Sequence, residues 1–257
     1  MIVSSRNRKI KDIRRLLRRK GDRALLEGPH LVAEAGAAGL ELETVLATSE
    51  FLARASARGL LAALPSRPEE VTPRLLESLT DADSPRGILA VCRLPRAGVE
   101  ALPVRPEGIY LYADQMQDPG NLGALARVAE ALDAAALVLA PGSVHPNHPR
   151  ALRASAGSLL RFPTAIEVEP TELVERLRPA SPRWIALTPR GGDEPTADHL
   201  HGTLVLALGA EGPGLSPRAT EGAAIRWTIP VKDPVESLNV TVAAALALFE
   251  IRRRRQA

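Results

Sequence analysis

Three segments of this sequence place polar side chains and glycine directly after an apolar run. In the first, Asn121 and Arg127 flank Gly123 in the stretch that follows residues 109–113. An amide can donate and accept hydrogen bonds, and a guanidinium can bind phosphate. The spacing lacks the glycine pattern of dinucleotide folds and the Gly-Lys-Ser/Thr of a phosphate-binding loop. For this segment alone, a plain turn followed by a surface arginine is the alternative interpretation.

A helix is predicted after that turn. Asn121 is expected to cap its first turn. Arg127 lies outside the apolar stripe that recurs at helical spacing, so its side chain is expected to point away from the core, into a cleft. The stripe consists of Leu122, Leu125, Ala129 and Leu132.

The second segment follows the apolar run 204–208 and places Glu211 among three glycines, Gly209, Gly212 and Gly214. Glycine allows positive φ and close approach of a ligand to bare backbone. The carboxylate can accept a hydrogen bond from a hydroxyl or an amine. Glycine-rich loops after strands are common, so this segment alone is a weak signal.

The third segment, residues 229–239, ends in Ser237 and Asn239 and precedes a long helix rich in small residues. Small residues there permit close approach of another backbone. Simple burial in the core explains them equally well.

Alternating helical and strand patterns predict two α/β units, residues 1–94 and 108–257, joined by a Pro/Gly-punctuated linker at 95–107. Apolar runs on both faces of the second unit's strands predict a parallel sheet covered by helices on both sides. Single helices are predicted over residues 7–21, 51–64 and 149–160.

Positive charge is concentrated at both ends of the chain. Residues 1–23 hold ten Lys/Arg against two Asp, and Arg252–Arg255 follow near the other end, although the whole chain carries a formal net charge of only +3. Clustered positive charge predicts a polyanionic partner, and a solvated helix face is the alternative. The ten cations are Arg6, Arg8, Lys9, Lys11, Arg14, Arg15, Arg18, Arg19, Lys20 and Arg23.

The composition of the chain also argues against several classes of protein and binding site. Aromatic residues are only 3% of the chain, so base recognition by aromatic platforms is not expected. A single cysteine, Cys92, excludes an intramolecular disulfide and a cysteine-based zinc cluster, and we expect it to be buried. No run approaches a membrane span and no signal peptide is indicated, so a cytoplasmic protein is expected. The histidines, which form no metal-binding pattern, are His30, His145, His148, His199 and His201.

Together, the three segments resemble the three motifs of the SpoU/TrmH family of RNA ribose 2′-O-methyltransferases, part of the SPOUT superfamily. The matching patterns are N-x-G-x-x-x-R from Asn121 to Arg127, G-x-E-G-x-G-L from Gly209 to Leu215, and I-P followed by S-L-N-V from Ile229 to Val240. Residues 151–163 also resemble a family segment, and residues 1–94 resemble an L30e-like substrate-binding domain. Asp233 stands where the family often has glycine.

The resemblance implies a C-terminal parallel-sheet domain with a deep trefoil knot, a homodimer with the active site at the interface, and S-adenosylmethionine as methyl donor without a metal. It implies methylation of a ribose 2′-hydroxyl in RNA. The N-terminal domain favours 23S rRNA, and a tRNA methyltransferase of the same family and a non-catalytic RNA-binding module are the alternatives.

The same resemblance assigns residues to roles. The residues implied in catalysis are Asn121, Arg127, Glu211, Ser237 and Asn239. The residues implied in donor binding are Thr188, Leu208, Gly209, Gly214, Ile229 and Leu238. RNA binding is predicted for Arg8, Lys9, Lys11, Arg15 and Arg23.

Family proposals make the arginine at the position of Arg127 the proton acceptor. A guanidinium stays protonated in proteins, because its pKa lies above ~12. Two roles therefore remain open for Arg127: proton acceptor in a strongly perturbed site, or electrostatic stabiliser of the alkoxide or a phosphate.

Overall fold

A computed structural model describes residues 1–18, 21–80 and 85–256 of the chain. Two of the ten N-terminal cations, Arg19 and Lys20, lie outside these described residues. By contacts, the chain divides into two compact units, Met1–Pro95 with Pro146–Arg161, and Arg96–His145 with Phe162–Ala257. The predicted domain ranges of 1–94 and 108–257 stay a prediction. The sequence pattern did not indicate that residues 146–161 group with the first unit.

The first unit contains a four-stranded sheet in the order β1-β4-β2-β3. Strand β4 runs antiparallel to β1 and β2, and β3 runs parallel to β2. In chain order the elements are α1 (Arg8–Leu16), β1 (Arg23–Glu27), α2 (Pro29–Ala37), β2 (Leu42–Ala47), α3 (Ser49–Ala53), a 3-10 turn (Ala55–Ala57), α4 (Arg58–Ala63), β3 (Glu69–Glu70), α5 (Pro73–Glu77) and β4 (Ile88–Arg93).

Helix α1 begins after Asn7, whose side chain accepts a hydrogen bond from the Lys9 amide at 2.9 Å. Ile10 and Ile13 are buried in the core of this unit. The helix ends at Leu16, so the prediction of a helix reaching residue 21 is wrong. Leu17, the first residue after the helix, is 41% exposed.

The helix predicted over residues 51–64 is also wrong as a single element. Arg54 adopts an extended backbone, with ψ 128°, and divides the segment into α3, the 3-10 turn and α4. The predicted buried position of Cys92 is confirmed, since its side chain lies in β4 with no exposed surface.

The second unit is built on a six-stranded sheet in the order β10-β8-β9-β5-β6-β7, in which every pair is parallel. The predicted parallel α/β architecture is confirmed. Its elements are β5 (Ile109–Ala113), α6 (Pro119–Ala131), β6 (Ala136–Leu139), β7 (Thr164–Ala165), α9 (Pro170–Leu177), β8 (Arg183–Leu187), β9 (Leu204–Leu208), α10 (Pro217–Glu221), β10 (Ile225–Trp227) and α11 (Val240–Arg255). Two helices that lie between β6 and β7 in the chain, α7 (Pro149–Ala154) and α8 (Ser158–Arg161), belong to the first unit.

The two central strands, β5 and β9, are buried along their whole length, as their apolar runs predict. The helix predicted over residues 149–160 is instead two helices, because Ala156 and Gly157 between them have positive φ, at 48° and 100°. Both tryptophans, Trp184 and Trp227, are buried. Threading of the chain as a trefoil knot stays a prediction.

Helices of the described residues 1–18, 21–80 and 85–256 are all too short or too polar to cross a membrane.

The C-terminal arginines are engaged within the second unit. The guanidinium of Arg255 donates to the carbonyl oxygens of Leu200 at 2.7 Å and Glu107 at 2.6 Å, and to that of Gly202. Burial lowers the pKa of Arg255 from its ordinary value. The ion pairs of the other three are Arg252 with Asp133, Arg253 with Glu250, and Arg254 with Glu250 and Glu194. This cluster fixes the end of α11 and is not a free cationic surface for a polyanion.

Replacing Arg255 with alanine is expected to destabilise the protein by about 2–3 kcal/mol, because three carbonyl oxygens lose a charged donor. Thermal unfolding followed by circular dichroism measures this as a lower midpoint. The matched control is Arg253→Ala, whose side chain is 59% exposed and, among the described residues, forms an ion pair with Glu250 alone. That variant is expected to unfold like the wild type, and equal midpoints for the two variants would contradict the prediction.

Candidate active site

The first segment leaves the carboxyl end of β5 and enters α6 through an Asp-Pro start. Asp118 is the cap of α6, and its side chain accepts a hydrogen bond from the Asn121 amide at 2.8 Å. The prediction that Asn121 caps this helix is therefore wrong. Proline suits the first position of a helix, so α6 begins at Pro119 and its cap is Asp118, the residue directly before it. Asn121 lies in the first turn, and its side chain is available to other segments.

The side chain of Asn121 joins the three segments. Its Nδ2 donates to Oε1 of Glu211 at 2.6 Å, and its Oδ1 accepts from Nδ2 of Asn239 at 3.0 Å. The same nitrogen of Asn239 also lies 3.3 Å from Oε1 of Glu211. The three side chains that the sequence singled out thus form one hydrogen-bonded network.

Asn239 is held from both sides. Its Oδ1 caps α11 by accepting from the amides of Thr241 at 2.9 Å and Val242 at 3.4 Å. Because Oδ1 is committed to the helix, Nδ2 must face Asn121 and Glu211. The start of α11 was predicted near Ser237–Asn239, which is where the helix begins.

A cavity of about 420 Å³ opens beside this network, at the carboxyl ends of β8, β9 and β10. All six residues predicted for donor binding line it, together with three of the predicted catalytic residues: Thr188, Leu208, Gly209, Gly214, Ile229, Leu238, Glu211, Ser237 and Asn239. Sequence reasoning did not assign Leu187, Pro189, Trp227, Val231, Val240 and Ala243, which also line it.

Backbone and apolar groups dominate this cavity. Among the described residues that line it, Glu211 is the one charged side chain. Such a surface suits a small organic ligand that is held by backbone groups and carries positive charge near the carboxylate. Asp233, the departure from the family pattern, is exposed and is not among the lining residues. The described residues contain no group of three or more His, Cys, Asp and Glu side chains that could hold a metal ion.

The loop after β9 depends on glycine. A Cβ added at Gly209 would lie 2.2 Å from the carbonyl carbon of Gly214. Ala210 and Gly214 exchange backbone hydrogen bonds of 3.2 and 3.0 Å, which close the loop on itself. Gly214 has φ of 73°, which other residues rarely adopt. The glycines therefore allow the close approach that carries Glu211 to the network.

Arg127 stands apart from the network. It lies on α6 with its side chain exposed, it does not line the cavity, and no residue in the described part of the chain forms a hydrogen bond or ion pair with it. The stripe behind it is buried at Leu122, Leu125 and Ala129, as predicted. Within one copy of the chain, the structure brings Asn121, Glu211 and Asn239 together but leaves Arg127 facing outward.

Comparison with known proteins gives two domain matches. Residues 108–249 match the SpoU rRNA Methylase family, and residues 7–90 match the MRM3-like substrate binding domain. The chain is 29% identical over 261 residues to the 23S rRNA (guanosine(2553)-2'-O)-methyltransferase RlmP of Bacillus subtilis, covering 98% of each protein. It is 29% identical over 265 residues to the 23S rRNA (uridine(2479)-2'-O)-methyltransferase of Streptomyces viridochromogenes, covering 98% of this chain and 92% of that protein.

Solved structures resemble the whole chain. The SpoU methyltransferase AviRb from Streptomyces viridochromogenes, in complex with AdoMet, superposes with a TM-score of 0.88 at 25% identity, covering 98% of this chain and 99% of that one. The crystal structure of an RNA 2'-O ribose methyltransferase superposes with a TM-score of 0.84 at 32% identity, covering 100% and 99%.

Gly209→Ala is expected to lower the stability of the second unit by about 1–3 kcal/mol, since the added methyl group overlaps the backbone at Gly214. Thermal unfolding monitored by tryptophan fluorescence measures the effect, because Trp184 and Trp227 both lie in this unit. The control is Gly222→Ala, where φ is negative and no atom lies within 4 Å of the added Cβ. A wild-type midpoint for Gly209→Ala would show that the loop does not need this close approach.

Proposed function

The chain belongs to the SpoU rRNA methylase family, and from this premise we propose that it transfers the methyl group of S-adenosylmethionine to a ribose 2′-hydroxyl of ribosomal RNA. The observation that carries the proposal is the Asn121–Glu211–Asn239 network beside a 420 Å³ cavity. A match to a substrate-binding domain and relatives that act on 23S rRNA support rRNA as the substrate class. A cytoplasmic location stays a prediction.

The cavity fits the proposed donor. A solved relative of the same fold binds AdoMet. S-adenosylmethionine supplies an electrophilic methyl group on a positively charged sulfonium. We assign its binding to Thr188, Leu208, Gly209, Gly214, Ile229 and Leu238, all of which line the cavity. The bare backbone at Gly209 and Gly214 offers amide and carbonyl groups to polar edges of the donor, and the carboxylate of Glu211 lies on the same surface.

Asn121, Glu211, Ser237 and Asn239 are assigned to orienting the ribose. A 2′-hydroxyl is a weak nucleophile, so its oxygen must be held in line with the methyl group. The network fixes Asn121 and Asn239 against one oxygen of Glu211, which leaves Oε2 without a hydrogen bond from the described residues. Ser237 lines the cavity beside them.

In the transfer, the ribose oxygen loses its proton and bonds to the methyl carbon while the carbon–sulfur bond breaks with its electron pair on sulfur. We propose that Arg127 acts as a charged group that stabilises the alkoxide or binds the adjacent phosphate. A guanidinium that is exposed to solvent remains protonated. The proton then passes to water or to a phosphate oxygen of the RNA.

We propose that a second copy of the chain brings Arg127 to the site. Helix α11 packs against α6 and exposes an apolar stripe at Val242, Leu246 and Phe249, which are 48%, 46% and 59% exposed. These positions are four and three residues apart, so they share one helix face. An exposed apolar face of this kind marks an interaction surface. It lies on the helix pair that also carries Arg127, as a shared active site in a homodimer requires.

The N-terminal helix supplies the proposed RNA contact. Arg8, Lys11 and Arg15 are exposed, form no side-chain hydrogen bond or ion pair with the described residues, and lie three and four residues apart on one face of α1. Lys9 and Arg23, which were also predicted to bind RNA, are engaged within the unit. Their ion pairs are Lys9 with Glu69, and Arg23 with Asp12 and Glu43. The hydrogen bond from Arg23 lowers the pKa of Asp12. We therefore assign RNA binding first to Arg8, Lys11 and Arg15, and only second to Lys9 and Arg23.

Arg127→Ala is expected to lower the rate of methyl transfer by about 10²–10³-fold while the affinity for S-adenosylmethionine stays at the wild-type value, because Arg127 does not line the cavity. Incorporation of labelled methyl into rRNA and calorimetric titration measure the two quantities. The matched control is Arg178→Ala, an exposed arginine in the same unit whose one ion pair within the described part of the chain is with Glu175.

A second experiment tests whether two copies share the site. Arg127→Ala and Glu211→Gln subunits are unfolded, mixed and refolded together, and the activity of the mixture is measured. If the two residues come from different copies, half of a random mixture is heterodimer, each with one intact site, and activity returns to about a quarter of the wild-type value. An inactive mixture of stable dimers would place both residues in the same copy, and wild-type activity of Arg127→Ala alone would remove its catalytic role.

The triple variant Arg8→Ala/Lys11→Ala/Arg15→Ala is expected to bind rRNA more weakly. The slope of log affinity against log salt concentration should become shallower by about 2–3, because three phosphate contacts are lost. Filter binding over a salt series measures the slope. Lys9→Ala is the control and should change the slope by less, since Glu69 already neutralises that charge. An unchanged slope for the triple variant would exclude this face of α1 as the docking surface.

A further inference from the structure

A second cavity, of about 310 Å³, lies in the same unit at the carboxyl ends of β5 and β6. Asp114 and Gln115 directly follow β5, and Pro141 lies just beyond β6. Its size falls within the ~300–1,000 Å³ typical of pockets for small organic groups. The function described above does not use it.

Asp114 provides a carboxylate acceptor in the wall of this cavity. The residue is only 3% exposed, and its Oδ2 accepts a hydrogen bond from the Ser216 amide at 2.6 Å. None of the described residues donates a hydrogen bond to its other oxygen, Oδ1. Oδ1 is not one of the fully buried polar atoms without a partner, so it is accessible. Because Asp114 lines the cavity, its carboxylate offers a hydrogen-bond acceptor that a ligand can use.

The surroundings of Asp114 select for a donor and against an anion. Tyr112 turns its hydroxyl away to donate to the carbonyl oxygen of Val168 at 3.0 Å. Burial raises the pKa of Tyr112, and the negative charges of Asp114, Glu169 and Glu172 raise it further. A phosphate group in this cavity would meet the same negative charges, whereas an N–H group would be attracted.

The remaining walls suit a flat ring. Proline rings at Pro141, Pro170 and Pro217, with Ala140 and the ring of Tyr112, provide apolar surface. At the rim, Arg218 pairs with Glu169 at 3.1 Å and is 77% exposed. A planar, uncharged group with an N–H edge would bury its faces on the prolines and direct that edge to Asp114.

The two cavities share one loop. Gly209, Glu211 and Gly214 line the donor cavity, and Ser216, two residues further on, lines the second cavity and is tied to Asp114. A strand of RNA whose ribose lies beside the donor cavity therefore has a second recess next to the same loop.

We propose that this second cavity binds a base of the substrate RNA that carries an exocyclic amino group, with Oδ1 of Asp114 as the acceptor. The inference rests on the proposed function, because it takes RNA as the substrate. Cytosine and uracil form a matched pair of probes, since cytosine presents an amino group where uracil presents a carbonyl oxygen.

The test compares binding of fluorescent twelve-nucleotide oligocytidylate and oligouridylate to the full chain at neutral pH. Wild-type protein is expected to favour oligocytidylate by about tenfold, the value of one hydrogen bond to a charged acceptor. Asp114→Asn keeps an oxygen for the Ser216 amide but places a donor at the other position. This variant should bind both oligonucleotides within about twofold of each other and bind S-adenosylmethionine like the wild type.

Asp198→Asn is the matched control, because Asp198 is exposed and lies outside this cavity. It should keep the wild-type preference. Equal binding of the two oligonucleotides by wild-type protein would overturn this inference and leave the proposed methyl transfer standing. Loss of S-adenosylmethionine affinity in Asp114→Asn would reduce Asp114 to an anchor of the loop and also overturn it. Failure of wild-type protein to bind either oligonucleotide would also overturn this inference, whereas methyl transfer is tested separately on rRNA.

Discussion

Oxygen Oε1 of Glu211 accepts hydrogen bonds from the side-chain amides of Asn121 and Asn239, and through them it connects the ends of β5 and β9 to the start of α11. Each partner is held by a second hydrogen bond: the backbone amide of Asn121 donates to Asp118, and Oδ1 of Asn239 accepts from the Thr241 amide in the first turn of α11. Removing the carboxylate would leave two amides without their common acceptor, so the geometry of all three segments depends on it. The donor cavity lies against this junction.

The groups that suit the donor lie at this junction, and the positively charged groups that suit RNA do not. The donor cavity contains one carboxylate, apolar walls and bare backbone, which suit a positively charged organic donor. The positive charge that RNA requires lies elsewhere: on Arg127 at the outer surface of α6, and on the exposed face of α1 in the first unit. Since α6 exposes Arg127 and α11 exposes the apolar stripe, we propose a second copy of the chain as the source of the guanidinium.

The local sequence pattern was sufficient to predict much of this structure. The unbroken apolar runs of β5 and β9 predicted buried parallel strands, and the spacing of three loop motifs predicted the family and which side chains would meet. The failures have physical causes beyond local pattern. Pro119 moved the cap from Asn121 to Asp118, and Arg54 broke a periodic helix with an extended backbone. The C-terminal arginines look like a free basic tail, yet Arg255 binds carbonyl groups 53 to 148 residues away in sequence. Only the folded chain brings such groups together.

The central claim is that the junction around Glu211 serves methyl transfer to a ribose oxygen. The most direct measurement incubates purified protein with rRNA and methyl-labelled S-adenosylmethionine, digests the RNA to nucleosides and identifies the labelled atom. The account predicts 2′-O-methylribose with wild-type protein and near-complete loss of label with Glu211→Gln, which keeps an oxygen for Asn121 and Asn239 but removes the negative charge and replaces the free acceptor Oε2 with an N–H donor. Label on a base, or full activity of Glu211→Gln, would contradict it.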